Sequence, residues 1–343
     1  MKLRNIFLFA LLLVGIYGYA QSMGTSVSCF LDFPTSAHVA ALGGTNTCYM
    51  GSDATFSMMN PALLVPGYSN LLNLNYSVYM ARTGYGSASY NMAFSDKDAF
   101  SAGVQFAHYG KFDEYDAVGT QLGSYTAMDL ALVATYSRTL NRYFSVGVAL
   151  KPILNSYADY NFFSLGGDLG LHFSDTTHLV AAGLTVRNVG GRIAGSKMMT
   201  EASHWLPVHV SLGVTKRFKR APFALHFTLQ DLQKWNYDYA TNLTDEEYGK
   251  VKAGVMFARK IVLGVDVVPK NDRFWLAVSY NFDRGLSLAN PYVVSVSGLS
   301  FGGGFRVSMI RIGAAMSFYG SSAVTGQFSL SMDMNAFVNK KKL

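Results

Sequence analysis

From about residue 70 onward the chain repeats one pattern: short runs in which apolar residues alternate with small or polar ones, separated by turn-forming residues. Between Leu206 and Phe218, Val208, Val210, Leu212 and Val214 fall on one face and His209, Ser211, Gly213 and Thr215 on the other, because successive strand side chains point to opposite sides of a sheet. Phe144, Val146, Val148 and Leu150 alternate in the same way with Ser145, Gly147, Ala149 and Lys151, as do Phe328, Leu330, Met332 and Met334 with Gln327, Ser329, Ser331 and Asp333. About fifteen such segments can be marked, most of about 9–12 residues, the length a tilted membrane strand needs and longer than most strands of soluble sheets. Short charged connections at Asp96–Asp98, Asn141–Arg142, Asp175–Thr176 and Arg259–Lys260 contrast with long ones at 110–124, 189–205 and 233–247. Aromatic residues gather toward segment ends, at Tyr76 and Tyr79, Tyr90 and Phe94, Phe106 and Tyr109, and Phe318 and Tyr319. The pattern predicts an all-β fold: a transmembrane antiparallel β-barrel with short turns on one side, long loops on the other and aromatic girdles between. Both ends of such a barrel return to one side, so the count is even. The alternation falters at Asp283–Gly298, and the expectation is about fourteen strands with the spurious segment near there.

Two stretches stand outside the alternation. Met1–Ala20 carries Lys2 and Arg4, an apolar run from Ile6 to Val14 and small residues at Gly18 and Ala20, which is the form of a signal peptide for Sec export rather than of a spanning helix. No cysteine follows directly, so a lipid anchor is not expected there. The second stretch, Ser28–Pro66, has neither clean alternation nor a long helical period. It is read as an N-terminal plug, or hatch, for the barrel. The expected organisation is therefore 1–20 leader, 21–69 plug, 70–337 barrel and 338–343 a short basic tail.

Composition bears on the environment of the strands. Apolar residues make up 50% of the chain and charged residues only 14%, against the roughly 25% charge usual in soluble domains, with 33 Gly, 24 Phe and 21 Tyr. Little of such an exterior is made for water. No apolar run after the leader approaches the length of a spanning helix, so a membrane would be crossed by strands. The net charge of +7 is concentrated at the ends, in Lys2 and Arg4 and in Lys340, Lys341 and Lys342, and no basic helix or zinc spacing accompanies it. A nucleic-acid partner is not expected.

The sequence lacks the constellations of an enzyme. Its seven His form no His-Glu-x-x-His site, and there is no Ser-x-x-Lys or Gly-x-Ser-x-Gly element, so neither catalytic residues nor metal or cofactor is expected. Cys29 and Cys48 lie in the plug at a spacing that permits a disulfide closing a loop of about 20 residues, worth ~3 kcal/mol, or equally two separate buried thiols. Asp113, Glu114 and Asp116 form one acidic loop cluster and Asp245, Glu246 and Glu247 another. Trp235, Tyr237 and Tyr239 precede the second and are the candidate contact for a partner protein, since Trp and Tyr dominate binding hot spots.

The stretches FLDFPTSAHVAALGG (residues 30–44), GSDATFSMMNPALL (51–64) and NLLNLNYSVYM (70–80) resemble the opening of the PorV and PorQ group of Bacteroidota outer-membrane barrels, distant relatives of the FadL type. Leu42, Gly43, Gly44, Asn60 and Pro61 carry the resemblance. They also have a physical reading: the glycines suit a tight, closely packed turn, and Asn60-Pro61 suits a chain reversal. His38 departs from the group, which has Arg after the alanine. The resemblance implies a non-enzymatic component of the type IX secretion system in the outer membrane, in contact with lipid and lipopolysaccharide. It further implies an attachment complex in which the barrel holds a PorZ-like surface protein beside a PorV-like barrel and a PorU-like sortase that joins cargo to anionic lipopolysaccharide. The alternative function is FadL-like transport of hydrophobic solutes, with some of the 15 Met lining the path or simply filling gaps.

Overall fold

A computed structural model of the chain describes residues 28–51, 53–79, 83–116, 118–158, 160–196, 204–235, 253–269, 271–287, 296–320 and 323–335. The leader, the basic tail, Tyr237, Tyr239 and the Asp245–Glu247 cluster lie outside them.

Fourteen antiparallel strands close into one barrel. In chain order they are β1 (Leu71–Val78), β2 (Gly84–Ala93), β3 (Asp98–Tyr115), β4 (Gln121–Thr139), β5 (Phe144–Tyr157), β6 (Tyr160–Asp175), β7 (Val180–Gly195), β8 (His209–Arg217), β9 (Phe223–Leu229), β10 (Ile261–Val267), β11 (Phe274–Asn281), β12 (Leu299–Val307), β13 (Ile310–Phe318) and β14 (Val324–Asp333). Each pairs with its neighbours in sequence, and β1 pairs with β14 from Leu71↔Asp333 to Val78↔Gly326 to shut the wall.

The alternation is turned inside out relative to a soluble protein. Leu212 and Val214, Val148 and Leu150, and Leu225 and Phe227 face outward and are exposed. Their neighbours Ser211, Thr215, Ser145, Lys151, His226 and Thr228 face inward and are buried. An apolar exterior around a polar interior lowers free energy only where the exterior meets hydrocarbon, and a closed ladder satisfies the backbone there.

Two departures from the expected layout have local causes. Alternation also marks a segment at 248–258, and its described part is not a strand: Ala253–Arg259 forms a helix, α2, between β9 and β10, so the spurious segment lies here and not near 283–298. Its apolar residues Ala253, Val255 and Phe257 fit a period of two, while Ala253, Met256 and Phe257 equally fit a helix. Arg259 and Lys260 accordingly end a helix at the long-loop end rather than making a short turn. The region around 283–298 contains another helix, α3 (Phe282–Ser287), and no strand among the described residues. The expected loop 110–124 is mostly sheet, since β3 and β4 run on as a long hairpin with Asp113 paired to Ser124 and Glu114 to Gly123. Asp116 accepts hydrogen bonds from the Val118 and Thr120 amides at 2.9 and 2.8 Å and so shapes the hairpin tip.

Candidate functional site: the lumen and the segment within it

Residues 28–70 run through the barrel interior from the loop end to the turn end, where β1 begins. At entry, the Ser28 hydroxyl donates to Asn155 Oδ1 at 3.0 Å, and Asn155 in turn donates to Asp129 at 2.6 Å. Tyr109 and Tyr157 donate to the same Asp129 carboxylate at 2.7 and 2.5 Å, so Tyr109 points into the lumen and not into a girdle. Tyr79 likewise stacks inward on Phe33, at 4.6 Å between centroids. His209 Nε2 lies 2.6 Å from Asp32 and its Nδ1 contacts Asp231, tying the first turn of the segment to the wall.

Deeper in, Ser36 caps helix α1 (Ala37–Ala41) by accepting from the Val39 amide at 3.2 Å. Its apolar face packs with Leu42, Tyr49 and Phe56 against Ala277, Ala315 and Trp275 of the wall. The helix ends at Gly43 and Gly44, with φ of 90° and 83°, a left-handed turn that disfavours side chains. A Cβ at Gly43 would also stand 2.4 Å from Val262. The turn offers its carbonyls to the wall: Ser279 donates to Ala41 at 2.8 Å and Asn281 to Gly43 at 3.2 Å. Asn60 is fully buried, accepts from the Ala62 amide at 3.0 Å and donates to the Thr47 carbonyl at 2.7 Å, with Pro61 opening the next turn. All five motif residues thus shape the luminal segment.

The wall is carved to receive them. At Gly147, Gly170, Gly183 and Gly213, on four consecutive strands, a Cβ would fall within 2.1–2.5 Å of the nearest atom of Pro61, Asn60 or Thr47. Alternation in the sequence puts Gly147 and Gly213 on the small-or-polar face of their strands, and Gly170 and Gly183 carry no separate expectation. Their common signal was an inward position in each strand.

Cys48 and Cys29 are not joined. Cys48 is buried beside β8, where its carbonyl accepts from Thr215 at 2.7 Å, and burial pushes its thiol up to about 12. Cys29 is exposed at the mouth, in the neighbourhood of Tyr109 and Tyr157. The extended path between them separates the two cysteines.

A charged network joins segment to wall near the turn end. His38 Nδ1 is 2.9 Å from Asp53, and its Nε2 is 3.6 Å from Asp266 of β10, which lies 3.3 Å from His226 Nε2. The His38 ring stacks on Trp275 at 4.0 Å and 10°. Burial alone would lower the His38 pKa, but the hydrogen bonds and charges of Asp266 and Asp53 outweigh it and raise it above 6.5. Burial likewise opposes ionisation of Asp53, and His38 and the Thr55 hydrogen bonds overcome it, holding the carboxyl below its usual range. His38 thus links Asp53 of the segment to Asp266 of the wall.

The loop-end half of the lumen differs in character. Phe30, Leu31, Tyr85, Ala107, Ala131, Ile153 and Leu206 form an apolar cluster with Phe33 and Tyr109 against it. Beside it the β4–β5 pairing passes from Ala131↔Ile153 straight to Ala134↔Leu150, leaving Leu132, Val133, Lys151 and Pro152 out of the ladder. Pro152 has no N–H to donate. Lys151 points inward to Asp168 at 2.6 Å and Asn188 at 3.0 Å, both buried. The β6–β7 ladder shifts register between Gly167 and Leu169, beside Asp168. Of the candidate contact residues, Trp235 is half exposed near the loop end with Lys260 Nζ 4.7 Å above its ring.

A closed antiparallel barrel with an apolar exterior and a chain segment threaded through its lumen defines a class, the outer-membrane-type barrel with an internal hatch. Solved structures narrow the fold further. The Pseudomonas putida toluene transporter TodX superposes with a TM-score of 0.54 at 13% identity, over 87% of this chain and 97% of that one. A Pseudomonas aeruginosa FadL homologue gives 0.50 at 12% identity, over 87% and 98%. The chain has the FadL-type barrel fold. No protein-family model and no curated protein matches the sequence.

Proposed function

We propose that this protein is a non-enzymatic outer-membrane barrel that passes small hydrophobic solutes, of the size of a monoaromatic hydrocarbon or a fatty acid, from the loop end toward the membrane. The observation that carries the reading is the apolar cluster around Phe30 and Ile153 at the loop end of the lumen, next to a stretch where the β4–β5 pairing is interrupted. The segment runs through the lumen below that cluster, and in this reading a solute entering at the loop end leaves sideways at Leu132 and Pro152. The hydrophobic cargo of the toluene transporter sharing this fold agrees with this chemistry. Cells carrying the protein are expected to take up radiolabelled toluene or fatty acid faster than cells without it, and equal uptake of both would end the reading.

A second reading, anchoring of a PorZ-like surface protein in a type IX attachment complex beside PorV-like and PorU-like partners, draws on the resemblance of the opening stretch to the PorQ type and on the exposed Trp235. Its test is gentle extraction from membranes: stoichiometric recovery of a large secreted partner, lost in Trp235→Ala, supports it, and recovery of the barrel alone removes it.

A further inference from the structure

At the turn end three neighbouring connections are laced together by their backbones. The Arg217 amide donates to the Leu179 carbonyl at 2.9 Å, Phe218 to Phe223 at 3.1 Å and Val268 to Pro222 at 2.8 Å. Between them lies an open groove of about 490 Å³, with apolar walls at Leu179, Pro222 and Pro269 and a rim of Arg217, Lys219 and Arg220. The rim belongs to a dense basic run, Lys216-Arg217-Phe218-Lys219-Arg220.

Among the described residues none of these cations is matched by a carboxylate. Lys216 Nζ donates to the His178 carbonyl at 2.7 Å and Arg217 to the Met50 carbonyl at 3.0 Å. Lys219 and Arg220 are exposed and make no side-chain hydrogen bond or ion pair among the described residues. Asp175, on the adjoining connection, is engaged with the His178 ring at 2.6 Å. The groove therefore carries uncompensated positive charge over an apolar floor.

Its height relative to the membrane follows from the strands. The outward stripe of β8 reads Leu212, Val214, Lys216, so the hydrocarbon-facing surface gives way to charge at Lys216. Phe218 and Phe223, each 45% exposed, stand at the same border, where aromatic rings collect. Lys219 and Arg220 follow at headgroup depth, and long basic side chains there place their charge among lipid phosphates while their stems cover apolar surface.

We infer that this groove is a binding site for one anionic phospholipid of the leaflet bordering the turn end, with the phosphate held by Lys219 and Arg220 and the upper acyl chain lying on Leu179, Pro222 and Pro269. The inference is independent of what crosses the barrel.

The full chain, extracted in mild detergent and mixed with phosphatidylglycerol or phosphatidylcholine, is read by native mass spectrometry. One phosphatidylglycerol is expected to remain bound in preference to phosphatidylcholine. The doubly substituted Lys219→Ala/Arg220→Ala protein should bind it more weakly by about fivefold per charge removed. Lys97→Ala, an exposed lysine on another connection at the same end, should bind as the unaltered protein does. Heat-modifiable migration on gels verifies that each variant is a folded barrel. Equal retention of the two lipids, unchanged binding by the double variant, or displacement of the lipid by an equal concentration of inorganic phosphate would each overturn the inference, the last because the apolar floor would then contribute nothing.

Discussion

His38 shows how one side chain fastens a segment to a wall. Its raised pKa means that its stabilising contribution is complete below the unfolded value of 6.5 and is lost as pH rises through the higher folded value. Asp53 is the reverse case: its contribution is present above 3.8 and lost as pH falls through the depressed folded value. Amide exchange of residues 45–51 should therefore be slowest between a limit below 3.8 and one above 6.5, after correction for intrinsic rates. In His38→Gln the alkaline limb should vanish, and an identical profile in that variant would remove His38 from the latch. Lys151 and Asp168 invite a different prediction. Removing one partner, as in Lys151→Met, leaves a buried charge and should cost about 3–5 kcal/mol in urea unfolding from lipid vesicles, whereas Lys151→Met/Asp168→Leu should recover most of it. None of this pairing was legible from sequence, because a charged residue on the polar face of a barrel strand looks the same whether it meets water or a partner 17 residues away.

Among the elements, the luminal segment and four strands fit through absence of side chains. Gly170→Val would drive a methyl group into Asn60 Oδ1, which a Cβ already approaches to 2.1 Å, and should destabilise the segment by about 1–3 kcal/mol, seen as faster proteolysis within residues 45–66. Gly326→Ala meets nothing within 4 Å and should behave as the unaltered protein does. Equal protease resistance in both would show that the glycine row does not seat the segment. At this scale the sequence was informative where period alone decides. The strands around Val146, Val210 and Leu330 stand where alternation placed them, because a half-lipid, half-polar wall enforces a period of two. It misled at 253–257, where a run of five residues satisfies two periods at once. The motif Leu42-Gly43-Gly44 was legible as a turn, but its contact with Val262 depends on a strand more than 200 residues away that no local pattern reveals.

For the molecule as a whole, the polar lumen, the threaded segment and the apolar cluster at the loop end make one arrangement. Solvation dictates the first, since inward groups unable to reach water must bond to the segment or to one another. The β4–β5 pairing is interrupted at Leu132 and Pro152, next to the Ala131 and Ile153 members of that cluster, and the proposed exit of solute toward lipid rests on this interruption. Barrel class could be read from composition and alternation, whereas the interruption of the β4–β5 pairing could not, because a single Pro in a strand signals equally an edge, a bulge or a gap. The most direct measurement is solute uptake into vesicles by Pro152→Val protein, in which an N–H is returned to the β4–β5 ladder. If hydrophobic solutes leave through this stretch of wall, the variant takes them up more slowly than the unaltered protein, toward the rate of protein-free vesicles; uptake at the unaltered rate would contradict the account.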